Sequence, residues 1–159
     1  MGALHYEVEL GVVIGKRCKS MPATAHWKAF VSGYCVALDM TARDEQAAAK
    51  ADGMPWTRGK CWDTFCPLSA IIPASAVPDA HALELYLSID GRERQRGSTS
   101  LMLHNIPEII AAVSDVMTLE PGDLILTGTP EGIGPVEPGQ TIVAGIKGLV
   151  EVSFPVVEN

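Results

Sequence analysis

The run Tyr6-Glu7-Val8-Glu9-Leu10-Gly11-Val12-Val13-Ile14 constrains the fold more than any other stretch of the chain. Side chains of a strand alternate between its two faces, so Tyr6, Val8, Leu10, Val12 and Ile14 make one apolar face. The opposite face carries His5, Glu7, Glu9 and Gly11. Such a strand needs a second layer over its apolar side, and its two carboxylates then stand about 7 Å apart at the backbone. Like charges at that spacing repel unless something positive lies between them, and a hard divalent cation is one answer. The competing reading is a solvated strand face, which periodicity alone leaves open.

Composition narrows the partners. The 159 residues are 47% hydrophobic and 19% charged, which suits one domain, 1–159, with a real core. A formal charge of −7 and the lack of a basic stripe argue against nucleic acid and anionic membrane as partners. No apolar run approaches the roughly 20 residues of a membrane helix. The first residues match neither a signal peptide nor a myristoylation motif, so a cytoplasmic protein is expected. Cys18, Cys35, Cys61 and Cys66 have neither the spacing of a secreted disulfide scaffold nor that of a paired zinc motif, and are expected reduced. The chain enters its first strand at once. Either the domain begins there or a preceding part lies outside this sequence.

Further along, Ser20-Met21-Pro22 predicts a helix start, with the helix running to about Phe30 and ended by Ser32-Gly33. Tyr34–Leu38 reads as a buried strand with Asp39 at its end. Thr41-Ala42-Arg43-Asp44 resembles a capping box, with Thr41 as N-cap of a helix from Ala42 to Ala51, stopped by Gly53 and Pro55. Arg43 and Gln46, three apart, share a face of that helix. The stretch Trp56–Pro67 has no clean period and reads as a structured loop packed on the core. Leu83–Ile89 alternates as a half-buried strand, and Asp90-Gly91 signals a hairpin. Asn105 opens the clearest helix, with an apolar stripe of Ile106, Ile109, Ile110, Val113, Val116 and Met117. Leu124–Thr127 is a short buried strand, the stretch after it is rich in glycine, and Gly148–Phe154 is a last alternating strand. Without a βαβ rhythm, the class is α+β.

Four segments together, Tyr6-Glu7-Val8-Glu9-Leu10, Leu38-Asp39-Met40-Thr41-Ala42-Arg43-Asp44 with Gln46, Lys60, and Pro121-Gly122-Asp123-Leu124-Ile125-Leu126-Thr127-Gly128-Thr129-Pro130, resemble the fumarylacetoacetate hydrolase family. The likeness is strongest to its small acylpyruvase and oxaloacetate decarboxylase branch, and it runs along nearly the whole chain. It implies a β-rich, mixed-sheet roll of the fumarylacetoacetase C-terminal-domain type with a few short helices. It implies Glu7, Glu9 and Asp39 as ligands of Mg²⁺ or Mn²⁺, and Arg43, Gln46, Lys60 and Thr129 as groups facing the substrate, Thr129 at its carboxylate end. A homodimer is also implied. The family's histidine–glutamate pair lies upstream of the first metal-binding strand, on a segment expected to be absent here. His5, beside the glutamates, could orient water or serve as a hydrogen-bonded neighbour.

The chemistry that follows from the resemblance is enolate chemistry. A 2-oxo acid chelates a divalent cation through its carboxylate and keto oxygens, and the cation takes up charge as a bond to C3 breaks. Lys60 and Arg43, expected as catalytic groups, would add fixed positive charge there. The leading expectation is a Mg²⁺-dependent hydrolase cleaving a C–C bond in short acylpyruvates, the 2,4-dioxo acids. Oxaloacetate decarboxylation at the same site is the first alternative, and a hydratase or isomerase of related acids a third. A non-catalytic module that binds 2-oxo acids is the reading from another class.

Overall fold

The Tyr6–Ile14 stretch folds as two strands rather than one. In the computed structural model, which describes residues 2–23 and 26–158, β1 spans Leu4–Tyr6 and β2 spans Val8–Ile14, with Glu7 at the break. All of β2 is buried, so the reading of Glu7 and Glu9 as a solvated face does not hold. They are 8% and 4% exposed.

The other strands follow in order as β3 (Val31–Leu38), β4 (Thr41–Ala42), β5 (Ile72–Pro73), β6 (Glu84–Ile89), β7 (Arg92–Ser98), β8 (Leu124–Leu126), β9 (Gly134–Pro135), β10 (Thr141–Ile146) and β11 (Val150–Pro155). They form three sheets, ordered β4-β1-β9, β5-β3-β2-β8 and β11-β10-β6-β7. The α+β class holds. Among the described residues every strand pairing within these sheets is antiparallel, where a mixed sheet was expected. Leu10, Ile14 and Leu38 meet Leu87, Ile142 and Ile146 in one continuous core, closed by Ile106 and Ile110 of α3 (Ile106–Val116). At about 25 cal/mol per Å² these buried aliphatic side chains dominate the folding free energy.

Local signals explain most of this. Leu85, Leu87 and Ile89 are buried while their neighbours on β6 are half-buried, as alternation requires. Asp90 and Gly91 both have positive φ, the geometry of a two-residue hairpin turn. Asn105 and Glu108 cap α3 reciprocally, each side chain accepting the other's backbone N–H. No described helix is long and apolar enough to cross a membrane.

Several expectations are corrected. Instead of a helix over 22–30 the chain forms only a short 3-10 turn at Trp27–Phe30, part of the expected span (Thr24 and Ala25) lying outside the described residues. Ser32-Gly33 does not end a helix but lies within β3; a Cβ on Gly33 would come within 2.5 Å of the Ile72 carbonyl, so glycine there lets β5 approach. Thr41 is not an N-cap. It pairs with His5 in β4, and Ala42 precedes α1 (Arg43–Ala51) without a side-chain cap. The Trp56–Pro67 loop is only partly packed on the core. Phe65 is buried, whereas Trp56 and Trp62 are about half exposed, because the short α2 (Thr57–Lys60) lays Gly59 against Gln46 of α1 and leaves the indoles outside. Val116 and Met117 of the expected stripe are exposed; Met117 has extended backbone and has left the helix.

Candidate metal and substrate site

Strand register builds the site. Val8 lies opposite Leu38 and Glu9 opposite Ala37, and the Asp39 N–H donates to the Glu7 carbonyl at 2.9 Å. Alternation puts Glu7 and Glu9 on one face, and the pairing brings Asp39 to the same end of the sheet. Each of the three offers a carboxylate oxygen, and these oxygens lie within 4.8 Å of one another.

Cations surround the cluster. Lys60 Nζ, delivered by α2, donates to Asp39 Oδ2 at 2.5 Å, to Thr41 Oγ1 at 2.8 Å and to Glu7 Oε2 at 3.2 Å. Arg43, at the first position of α1, donates from Nη2 to Glu7 Oε1 at 2.7 Å and from Nη1 to Gln46 Oε1 at 2.5 Å. The i, i+3 spacing read from the sequence is what aligns Arg43 with Gln46. The hydroxyl expected to cap α1 serves Lys60 instead.

Glu9 is treated differently. Among the described residues it accepts one hydrogen bond, from the Gly128 N–H at 2.5 Å. Gly128 has φ +95, which few other residues adopt, and this backbone aims its N–H at the carboxylate. Burial pushes the Glu9 carboxyl up to about 7, and the Gly128 hydrogen bond only partly offsets it; the Asp39 and Glu7 charges add to the rise and Lys60 opposes it. Three carboxylates against two cations leave one net negative charge in a mostly buried place. An all-oxygen set with an under-compensated carboxylate fits a hard divalent cation of the Mg²⁺ or Mn²⁺ kind. It does not fit zinc, which favours thiolate and imidazole.

The expected residues Glu7, Glu9, Asp39, Arg43, Gln46 and Lys60 thus form one connected cluster. Thr129 joins it by another route: it follows Gly128 in the turn after β8, and its Oγ1 accepts from Gln95 Nε2 at 2.8 Å. That turn borders a cavity of ≈ 290 Å³ also lined by Leu85, Met102 and Ile109. Among the described residues His5 Nδ1 is buried without a hydrogen-bond partner, as is Arg43 Nε. Burial, then the Arg43 charge, lowers the His5 pKa from its ordinary value, with the Glu7 and Asp44 charges opposing. Cys66 lies near Asp39 and Glu9, and its thiol is pushed up by burial and by both charges. All four cysteines are free.

Sequence reasoning missed the Gly128 N–H, the Thr41 hydroxyl and Gln95. For Gln95 one faint signal existed: it is the uncharged member of Arg92-Glu93-Arg94-Gln95-Arg96, and an alternating strand turns one such residue inward.

The profile of the fumarylacetoacetate (FAA) hydrolase C-terminal family matches residues 1–157. The chain is 56% identical over 154 residues to the mitochondrial oxaloacetate tautomerase FAHD2 of Oryza sativa subsp. japonica, covering 97% of this chain and 68% of the relative. It is 49% identical over 155 residues to the mitochondrial oxaloacetate decarboxylase of Dictyostelium discoideum, covering 97% and 71%. Among solved structures, fumarylpyruvate hydrolase from Pseudomonas aeruginosa in complex with Mn²⁺ and pyruvate superimposes with a TM-score of 0.95 at 39% identity, covering 100% of this chain and 68% of that one. The chain therefore spans about two thirds of the relatives it matches. The expected cytoplasmic location is overturned by these relatives, since both curated ones are mitochondrial proteins.

Proposed function

Because the chain belongs to the fumarylacetoacetate hydrolase C-terminal family, we propose that it is a divalent-cation-dependent enzyme acting on oxaloacetate through an enolate. Tautomerisation and decarboxylation are the two outcomes. The observation that carries this reading is the cluster of Glu7 and Glu9, both buried, and the part-buried Asp39, with oxygens within 4.8 Å, flanked by Lys60 and Arg43. Oxaloacetate tautomerases and a decarboxylase among the relatives support it.

Glu7, Glu9 and Asp39 would hold Mg²⁺ or Mn²⁺. When bound, the cation supplies Lewis acidity toward the 2-oxo group and neutralises charge as it develops. Lys60 and Arg43, anchored by Glu7, Asp39, Thr41 and Gln46, would add fixed positive charge where the enolate forms. Gln46 and Thr129 orient the substrate, with Thr129 at a carboxylate. In tautomerisation a proton passes from C3 to solvent and the 2-oxygen gains one from solvent. In decarboxylation the C3–C4 bond breaks, CO₂ departs, and the pyruvate enolate left behind takes a proton at C3.

Hydrolysis of acylpyruvates is the second reading, favoured by the fumarylpyruvate hydrolase neighbour. It needs a base to activate water. The triad carboxylates are engaged by Lys60, Arg43 or Gly128, whereas decarboxylation of oxaloacetate requires neither an activated water nor a base. The homodimer implied by the resemblance belongs to the same proposal, and light scattering reads it.

A panel assay separates these readings. Oxaloacetate enol–keto conversion, pyruvate release and acylpyruvate loss are followed with Mg²⁺ and with EDTA. Oxaloacetate conversion above the Mg²⁺-only blank, abolished by EDTA, supports the proposal. Acylpyruvate cleavage with oxaloacetate untouched would move the assignment to hydrolase. Tight oxalate binding with no turnover of any substrate would leave a 2-oxo-acid-binding module.

A further inference from the structure

On β7 every other residue from Arg92 to Arg96 is exposed, but Gln95 is 1% exposed. Its amide makes three hydrogen bonds to two separate parts of the site. Oε1 accepts the Val8 N–H at 2.9 Å. Nε2 donates to Thr129 Oγ1 at 2.8 Å and to the Pro130 carbonyl at 2.9 Å. Val8 lies between Glu7 and Glu9, and Thr129 follows the Gly128 that bonds Glu9. One side chain therefore ties the metal-binding strand to the turn over it. Gly132 lets the chain after that turn pass close by, since a Cβ there would come within 2.1 Å of the Arg94 carbonyl and 3.4 Å of Gln95 Cγ.

The partners also settle which end of the amide is which. A backbone N–H can only donate and a carbonyl can only accept, so Oε1 must face Val8 and the NH₂ must face Pro130. The NH₂ then donates into the Thr129 oxygen. A hydroxyl that accepts from one side keeps its own proton for another acceptor.

We propose that Gln95 is a positioning residue that fixes Thr129 as a hydrogen-bond donor toward the carboxylate of a 2-oxo acid and holds it in register with Glu7 and Glu9. This rests on the proposed reading of Thr129 as the substrate-carboxylate group. Gln95 does not touch the substrate; it sets the polarity and position of the group that does.

The test uses oxalate, a planar dianion resembling a 2-oxo-acid enolate, and calorimetry in saturating Mg²⁺. Gln95→Met fills the space but removes all three hydrogen bonds, and is expected to weaken oxalate binding roughly tenfold. Mg²⁺ binding without oxalate should change far less. In a Thr129→Val background the same substitution should have little further effect, because the hydroxyl it orients is gone. Gln95→Glu, which preserves shape and keeps the test open if the Met variant does not fold, should bind oxalate far more weakly than wild type at pH 8 and lose most of that difference from wild type near pH 5. Only the protonated acid can donate to Thr129. Equal oxalate affinity in wild type and folded Gln95 variants overturns the inference, as does a loss just as large in the Thr129→Val background. If wild type itself binds no oxalate with Mg²⁺, the proposed function falls, and this inference with it.

Discussion

Glu9→Gln should stabilise the metal-free protein in alkaline but not in acidic solution. Burial raises the Glu9 carboxyl from its ordinary 4.5 to about 7. The folded state therefore holds a proton that the unfolded chain has released between those values, and stability falls as pH rises from about 4.5 to about 7. Above pH 7 the penalty is complete. At 1.36 kcal/mol per tenfold, a rise of this size amounts to about 3 kcal/mol. Glutamine carries no charge yet still offers an oxygen to Gly128, so the variant avoids the penalty. For a domain of this length each kcal/mol moves Tm by about 2–4 °C, which predicts a gap of roughly 6–12 °C at pH 8 and almost none at pH 4.5. The assay is a pair of thermal melts in EDTA across pH 4.5–8. Adding Mg²⁺ at pH 8 should then raise the wild-type Tm and leave Glu9→Gln nearly unmoved. A pH-independent gap, or wild type becoming more stable from pH 5 to 8 relative to the variant, would refute the reasoning.

Asp39→Asn removes one of three charged ligands and should weaken Mg²⁺ binding by a factor on the order of 100, read by calorimetry; unchanged affinity would remove Asp39 from the metal site. Gly128→Ala forces a side chain onto φ +95 and draws the N–H away from Glu9, so turnover should drop at least about tenfold while Tm falls by only a few degrees, a split seen by running both assays on one preparation. Asn105→Ala removes the cap of α3, whose side-chain bond is to its own helix, and should cost about 1 kcal/mol in denaturant titration with kcat unchanged.

What the sequence made legible was local. The strand at Val8–Ile14, alternation in Glu84–Ile89, the Asp90-Gly91 turn and the Asn105–Glu108 cap are short-range signals, and all reappear in the structure, although both faces of Val8–Ile14 are buried. The spacing of Arg43 and Gln46 foretold a contact that exists. Failures came where distant partners decided the outcome. Thr41 has the chemistry of an N-cap, but pairing with His5 and the approach of Lys60 from α2 claimed its backbone and hydroxyl. Pro22 offered a helix start, yet Met21 is drawn into the core and its N–H bonds Ser114 Oγ on α3. Gln95 stood out only as the uncharged member of its run, and its role was hidden because its partners are 87, 34 and 35 residues away. No local pattern carries such a link.

The central claim is that Glu7, Glu9 and Asp39 hold one divalent cation. Crystals soaked in Mn²⁺ and measured at an anomalous wavelength test it most directly. A single strong peak is expected at about 2.0–2.3 Å from an oxygen of each of the three carboxylates. A map with no peak between them, or with Mn²⁺ bound only elsewhere, would contradict it.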